Sequence, residues 1–207
     1  MTVYPSSCCR QLLQLNTMKK RLKIGFDLDG VLLYNPARLV RPLISKLKQE
    51  DIGIHRRQLE FYVPQKRWEE LLWELFHKSS IFIAPGFKRI AELKQQGIID
   101  PYLITGRYGH LKNDFEQWRR KMKADQLFTQ AVMNEQDEQP HLFKERMLNK
   151  FDLDVFVEDN WDIVEYLDQQ FAGERQVYWV SNFFDRHIDY PHKCFNLRQV
   201  LAELQLD

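Results

Sequence analysis

Five apolar runs bounded by polar or turn residues punctuate the chain, at 22–27, 101–104, 127–132, 153–157 and 176–180, and each predicts a buried strand. Between them apolar residues recur at three- and four-residue intervals. Residues 110–123 place Leu111, Phe115, Trp118 and Met122 that way, and 141–150 and 161–171 behave alike. Residues 86–96 follow Pro85 and Gly86 and stop at Gly97, the start and stop signals of a helix. Residues 196–206 close the chain with Leu197, Val200, Leu201 and Leu204. Strands alternating with helices predict an α/β fold, a doubly wound, Rossmann-like parallel sheet with helices on both faces. Ligands of such sheets sit at the carboxyl ends of the strands.

One interval breaks the alternation. About 70 residues separate the first strand from the next clear one. Residues 36–50 and 65–78 have helical spacing, the second with Trp68, Leu71, Leu72, Leu75 and Phe76 on one side, and a mixed charged and aromatic stretch lies between them. The expected organisation is an N-terminal tail over 1–20, a core made of 21–33 and 81–207, and a small helical cap over 34–80 inserted after the first strand. Residues 1–17 read as a loose tail or a short docking helix built on Leu12, Leu13 and Leu15, with Met18 an alternative start.

Composition narrows the function classes. The chain has 207 residues, 44% of them hydrophobic, and a net charge of +1, so no global basic field points to a nucleic-acid polymer. No apolar run approaches the ~20 residues that cross a bilayer. Three cysteines, Cys8, Cys9 and Cys194, match neither a disulfide framework nor a zinc spacing, which implies a reducing, cytoplasmic setting.

Chemistry concentrates at the predicted strand ends. The first strand ends in Asp27-Leu28-Asp29-Gly30, the second in Thr105-Gly106-Arg107, and the fourth in Glu158-Asp159. A helix before the fourth strand offers Lys144 and Lys150, and the fifth strand is followed by Ser181, Asn182 and Asp185. Two carboxylates this close need a counter-charge, and Mg²⁺ is a natural partner for oxygen ligands. Gly30 lets the backbone curl so that N–H groups can face an anion. A carboxylate nucleophile, a metal, a hydroxyl, an ammonium and backbone amides are the parts of phosphoryl transfer. Each motif alone has a plainer reading. Arg107 could be a structural ion pair, Asp159 or Asn160 a helix cap, and Lys144 a solvated helix residue. Their order and placement together favour the chemical reading.

This set, FDLDGV, LITGR, a helix-borne lysine and FVEDN, resembles the haloacid dehalogenase superfamily of phosphohydrolases over residues 24–160, with the sheet pattern extending the match to about 206. The short helical insertion, PGF before the second half, and ED in place of GD are similar to the cytosolic 5′-nucleotidase and deoxyribonucleotidase branch. The resemblance implies Asp27 as nucleophile and Asp29 as general acid, then base, with its backbone carbonyl on Mg²⁺. It implies Thr105 on a phosphoryl oxygen, Lys144 on the phosphate and on Asp27, Asp159 on the metal, and Glu158 on the metal through water. Gly30, Gly106 and Arg107 complete the phosphate-binding set. Lys150 is the alternative lysine; Lys144 is preferred because it sits near a helix start.

The insertion would overhang the nucleophile. Phe61, Tyr62 and Trp68 could stack on a base and Arg56, Arg57, Lys66 and Arg67 could meet a second anion, although Trp68 and Phe61 equally suit a small cap core. His187 and His192, with Asp185 and Asp189, read as a surface loop rather than a metal cluster, and Asn182 could touch the water shell of the metal. The expected protein is therefore a Mg²⁺-dependent phosphomonoester hydrolase acting on a nucleoside monophosphate or similar small ester. The alternatives are a sugar-phosphate or other metabolite phosphatase, and a non-catalytic phosphate-binding protein on the same fold. The last fits least well, because a pure binder needs no acid/base such as Asp29.

Overall fold

A computed structural model describes residues 20–34, 59–64, 66–78 and 82–206. Cys8, Cys9, the tail over 1–17, Arg56, Arg57 and the expected helix 36–50 lie outside the described residues.

Six strands form one sheet: β1 (Leu22–Phe26), β4 (Ile99–Thr105), β5 (Gln130–Met133), β6 (Val155–Glu158), β7 (Gln176–Val180) and β8 (Lys193–Cys194). Their order is β5-β4-β1-β6-β7-β8, and every neighbouring pair is parallel. The chain winds outward from β1 to β5, then returns to β6 on the other side of β1. The order therefore reverses between β1 and β6, where open α/β sheets form their ligand crevice.

Helices α2 (Phe87–Gln95), α3 (Lys112–Lys121) and α7 (Leu197–Glu203) cover one face, and α5 (Pro140–Phe151) and α6 (Trp161–Phe171) cover the other. Strand alternation accounts for the split. Ile24, Phe26, Leu103, Val155 and Val157 join the first core, while Tyr102, Ile104, Phe156 and Val177 join the second.

The strand boundaries move slightly from those the pattern predicts. The third strand starts at Gln130 rather than 127, because Ala124–Leu127 forms a short helix, α4. The fourth runs Val155–Glu158, so Glu158 is a strand residue rather than the first residue beyond it. The second begins two residues earlier, at Ile99, and contains Pro101. Pro101 is tolerated because β5 pairs with β4 only from Tyr102 onward. The sixth strand, β8, has too few residues to show in the pattern.

A second, two-stranded sheet pairs β2 (Leu33–Tyr34) antiparallel with β3 (Phe82–Ile83). The 34–80 interval thus leaves and re-enters the core at one place. Within it, α1 spans Arg67–Lys78, close to the expected helix. Of the side expected to be apolar, Trp68 and Leu71 are exposed, at 57% and 64%, whereas Trp73 lines a cavity. Trp68 therefore fills no cap core among the described residues. No helix among the described residues is long and apolar enough to cross a membrane.

Candidate active site

Period-two alternation sends Ile24 and Phe26 to one face of β1, so Gly25 and the residue that follows the strand, Asp27, face the other. On β6, Val155 and Val157 share the first face and Glu158 the second. Asp27 and Glu158 therefore both face α5, whose N-terminus lies at the carboxyl edge of the sheet. Lys144, one turn into α5, is 3% exposed and its Nζ is 3.2 Å from Asp27 Oδ1. The same ammonium donates to Glu158 Oε2. Lys150 lies six residues further along, about 9 Å down the helix axis, where it is exposed against the Phe151 ring. Of the two lysines, Lys144 is the one brought to the carboxylates.

Asp159 completes the cluster. Asp27, Glu158 and Asp159 each offer a carboxylate oxygen within 4.8 Å of the others, all buried. Asp159 is fixed through its carbonyl, which accepts from Trp179 Nε1 at 3.1 Å. Glu158 Oε1 accepts the Asn160 N–H at 3.1 Å, so each of its oxygens already holds a hydrogen bond. Asn160 in turn caps α6 by accepting from Asp162 N. Burial pushes the Asp27 carboxyl well above the usual range; Lys144 opposes this, and Glu158, Asp159 and Asp29 reinforce it. Glu158 is pushed up for the same first reason. Burial alone would lower Lys144, but Asp27 and Glu158 outweigh it and hold the ammonium charged.

Three buried carboxylates facing one ammonium suit a hard cation, and Asp27 Oδ1, ion-paired with Lys144, accepts no hydrogen bond. The donor set thus fits Mg²⁺, with Asp27 and Asp159 as the residues that would hold it.

Gly30 departs from expectation. Its N–H donates to Leu33 O at 2.7 Å instead of facing an anion. The glycine is needed for another reason: φ is +87°, and a Cβ there would lie 2.3 Å from Asp159 Oδ2. Gly106 serves a similar end, since a Cβ would meet Pro140 at 3.2 Å and Lys144 Cε at 3.6 Å.

Arg107 also departs. Its side chain is 2% exposed and makes a two-pronged pair with Asp29, Nε to Oδ2 at 2.7 Å and Nη2 to Oδ1 at 2.8 Å. Its Nη1 donates to Asp114 Oδ2 at 2.7 Å. Arg107 is thus already committed to two carboxylates rather than held ready for substrate, and Asp29 stands as an acceptor, not yet as a proton donor. Thr105 is buried at the end of β4, where its Oγ1 accepts the Arg107 backbone N–H at 3.3 Å.

These groups open onto a cavity of about 190 Å³. Asp27, Asp29, Thr105, Lys144 and Asp159 form its floor, and Phe61, Tyr62, Trp73 and Tyr108 form an aromatic wall. Trp73 and Tyr108 were not singled out by sequence; Trp73 lies off the apolar stripe of α1, and Tyr108 follows Arg107 with no periodic signal.

The loop after β7 stays apart from this cavity. Ser181 Oγ donates to Cys194 O, and the Asn182 amide is taken up by Phe184 N and Asp185. Lys193 gathers that loop by donating to the carbonyls of Asp185, Arg186 and Ile188. His187 is exposed and His192 packs on Tyr178. Among the described residues, only Asp27, Glu158 and Asp159 form a possible metal-binding group.

No family profile matches the sequence, and no curated protein matches it. Solved structures do match. CbbY from Rhodobacter sphaeroides, in complex with phosphate, is 13% identical with a TM-score of 0.56, covering 89% of this chain and 99% of that one. A variant of CbbY is bound to xylulose 1,5-bisphosphate, at 13% identity and TM-score 0.54, covering 86% and 95%. YfnB from Bacillus subtilis, described as a HAD hydrolase and bound to magnesium, is 15% identical with a TM-score of 0.55, covering 90% and 100%. A haloacid dehalogenase-like hydrolase from Streptococcus pneumoniae is 13% identical with a TM-score of 0.54, covering 91% and 100%. At these identities the likeness is one of fold: the chain has the Rossmann-like α/β fold of haloacid dehalogenase-superfamily hydrolases.

Proposed function

We propose that this protein is a Mg²⁺-dependent phosphomonoester hydrolase that works through an aspartyl-phosphate on Asp27. The observation that carries the reading is Lys144, held between Asp27 and Glu158 beside Asp159 at the β1–β6 reversal. An Asp27 oxygen attacks phosphorus, a bond from Asp27 to phosphorus forms, and the bond to the leaving oxygen breaks. Lys144 and the Thr105 hydroxyl balance charge on the phosphoryl oxygens. Water then attacks the same phosphorus while Asp29 takes its proton, releasing phosphate and restoring Asp27. Protonation of the leaving oxygen falls to Asp29 as well, which requires it to exchange its bonds to Arg107 for a proton. Bound Mg²⁺ supplies charge neutralisation at the transferring group. The same fold bound to magnesium in the HAD hydrolase YfnB and to phosphate in CbbY supports this reading. A cytoplasmic site of action belongs to the same reading.

The favoured substrate is a nucleoside monophosphate or a similar small ester. The aromatic wall offers stacking to a flat leaving group, and both cations lining the cavity, Lys144 and Arg107, are already paired with carboxylates. A second phosphate would find no further lysine or arginine among the described lining residues. The competing reading is a sugar phosphate, supported by the bisphosphate bound to CbbY. A panel of nucleoside monophosphates and sugar phosphates, assayed for phosphate release with Mg²⁺ and with EDTA, separates the two. Asp27→Asn should abolish release in a protein that remains folded. Release that persists in EDTA or in Asp27→Asn would refute the mechanism.

A further inference from the structure

The aromatic wall depends on a side chain that takes no part in the chemistry. Gln139, immediately before α5, accepts the Phe61 N–H at Oε1, 2.7 Å, and donates from Nε2 to the Phe61 carbonyl at 3.2 Å. A side-chain amide thus makes the reciprocal pair that a neighbouring strand residue would make. The Phe61 ring lies 5.8 Å from the ring of His141, which meets Tyr166 edge-on at 4.6 Å. Tyr166 donates to Glu145 at 2.7 Å, closing the chain of contacts on α5. The segment 59–64, which brings Phe61 and Tyr62 to the cavity, is therefore fastened to the helix that supplies Lys144.

We propose that Gln139 is a positioning residue that fixes Phe61 over the cavity and so sets which leaving groups are accepted. The specificity part rests on the hydrolase reading above. Truncation of Gln139 isolates this role. Its side chain makes no capping bond to α5, and its carbonyl, which every variant keeps, accepts the Phe143 N–H at 3.0 Å.

The first test is hydrogen exchange at the Phe61 amide, followed by NMR on the full-length chain. Gln139→Ala should exchange about tenfold faster, the effect of losing one ordinary hydrogen bond. The second compares kcat/KM for 4-nitrophenyl phosphate with that for acetyl phosphate, whose leaving group has no ring to stack on Phe61. The ratio should fall about fivefold in Gln139→Ala, through KM, on the same energetic scale. Phe61→Ala should lower the ratio alike, and the double variant should lower it no further. Unchanged exchange, an unchanged ratio, or effects that add in the double variant overturn the proposal. A wild type that hydrolyses neither donor overturns the hydrolase reading instead, and exchange at Phe61 still decides whether Gln139 holds the segment.

Discussion

Replacing Lys144 with methionine keeps the length of the side chain and removes the charge that faces Asp27 and Glu158. All three groups are almost fully buried, at 3%, 5% and 1% exposure, so water cannot take over the role of the ammonium. Breaking a buried pair by deleting one partner costs about 3–5 kcal/mol. That cost must depend on pH. Asp27 and Glu158 already titrate above their ordinary range, because burial disfavours their charged forms, and Lys144 is the group that pulls both back down. Without Lys144 both rise further. A carboxyl raised in the folded state binds a proton that the unfolded chain has released. Stability is therefore lost as pH climbs from about 4, the unfolded carboxylate range, toward the raised folded value. Below that range both states are protonated and the penalty disappears.

The wild-type lysine, raised in the folded state, gives a contribution fully present below its unfolded value near 10.4, so it is constant across the window. Urea unfolding followed by tryptophan fluorescence in EDTA should then show Lys144→Met destabilised by about 3–5 kcal/mol at pH 8. Near pH 4.5 the difference should shrink to roughly 1 kcal/mol, the cost of a volume-conserving swap. An equal loss at both pH values would refute the charge argument and leave Lys144 as a packing residue.

Two further outcomes follow from the same geometry. Gly30→Ala sets a methyl 2.3 Å from Asp159 Oδ2 at a φ of +87°, so Asp159 must move. The variant should lose about 1–2 kcal/mol of stability, and the Mg²⁺ concentration for half-maximal phosphate release should rise at least about tenfold. Unchanged Mg²⁺ dependence would count against Asp159 as a ligand. Arg107→Lys keeps the charge but cannot span Asp29 and Asp114 with a planar fork, so kcat should fall about tenfold or more with little change in KM. A lysine variant with wild-type kcat would show that the position of Asp29 does not depend on the guanidinium.

The five main strands, and the gathering of Asp27, Glu158 and Lys144 at one sheet edge, were legible in the sequence because they rest on periodicity and on where strands end; the pairing of Glu158 with Lys144 was not. Alternation along two parallel strands puts both carboxylates on one face, and helix register puts Lys144, not Lys150, at the reactive edge. What periodicity does not encode is how loops spend their hydrogen bonds. Thr105-Gly106-Arg107 reads the same whether the guanidinium is held ready for substrate or committed to Asp29, 78 residues away. Gly30 reads the same whether its N–H faces an anion or Leu33, and only the approach of Asp159 distinguishes its purpose. Trp73 lies off the apolar stripe of α1, whose Trp68 and Leu71 are exposed, so helical spacing does not mark it.

Those loop-level facts alter the electrostatic argument more than the strands do. Asp27 and Glu158 pair with Lys144, Asp159 lies beside those two carboxylates, and Asp29 and Asp114 share Arg107, so five carboxylates stand against two cations. A phosphate monoester adds negative charge to a cavity that is already acidic. With both cations bound to carboxylates, the protein alone repels its proposed substrate, and a divalent ion beside Asp27 and Asp159 removes most of that excess and sets positive charge where the phosphoryl oxygens would approach. On this reading Mg²⁺ is required for the substrate to enter as well as for its phosphoryl group to transfer. Inorganic phosphate should therefore protect the protein against heat only when Mg²⁺ is present. Protection by phosphate in EDTA equal to that in Mg²⁺ would mean that Lys144 or Arg107 leaves its carboxylates to receive the anion.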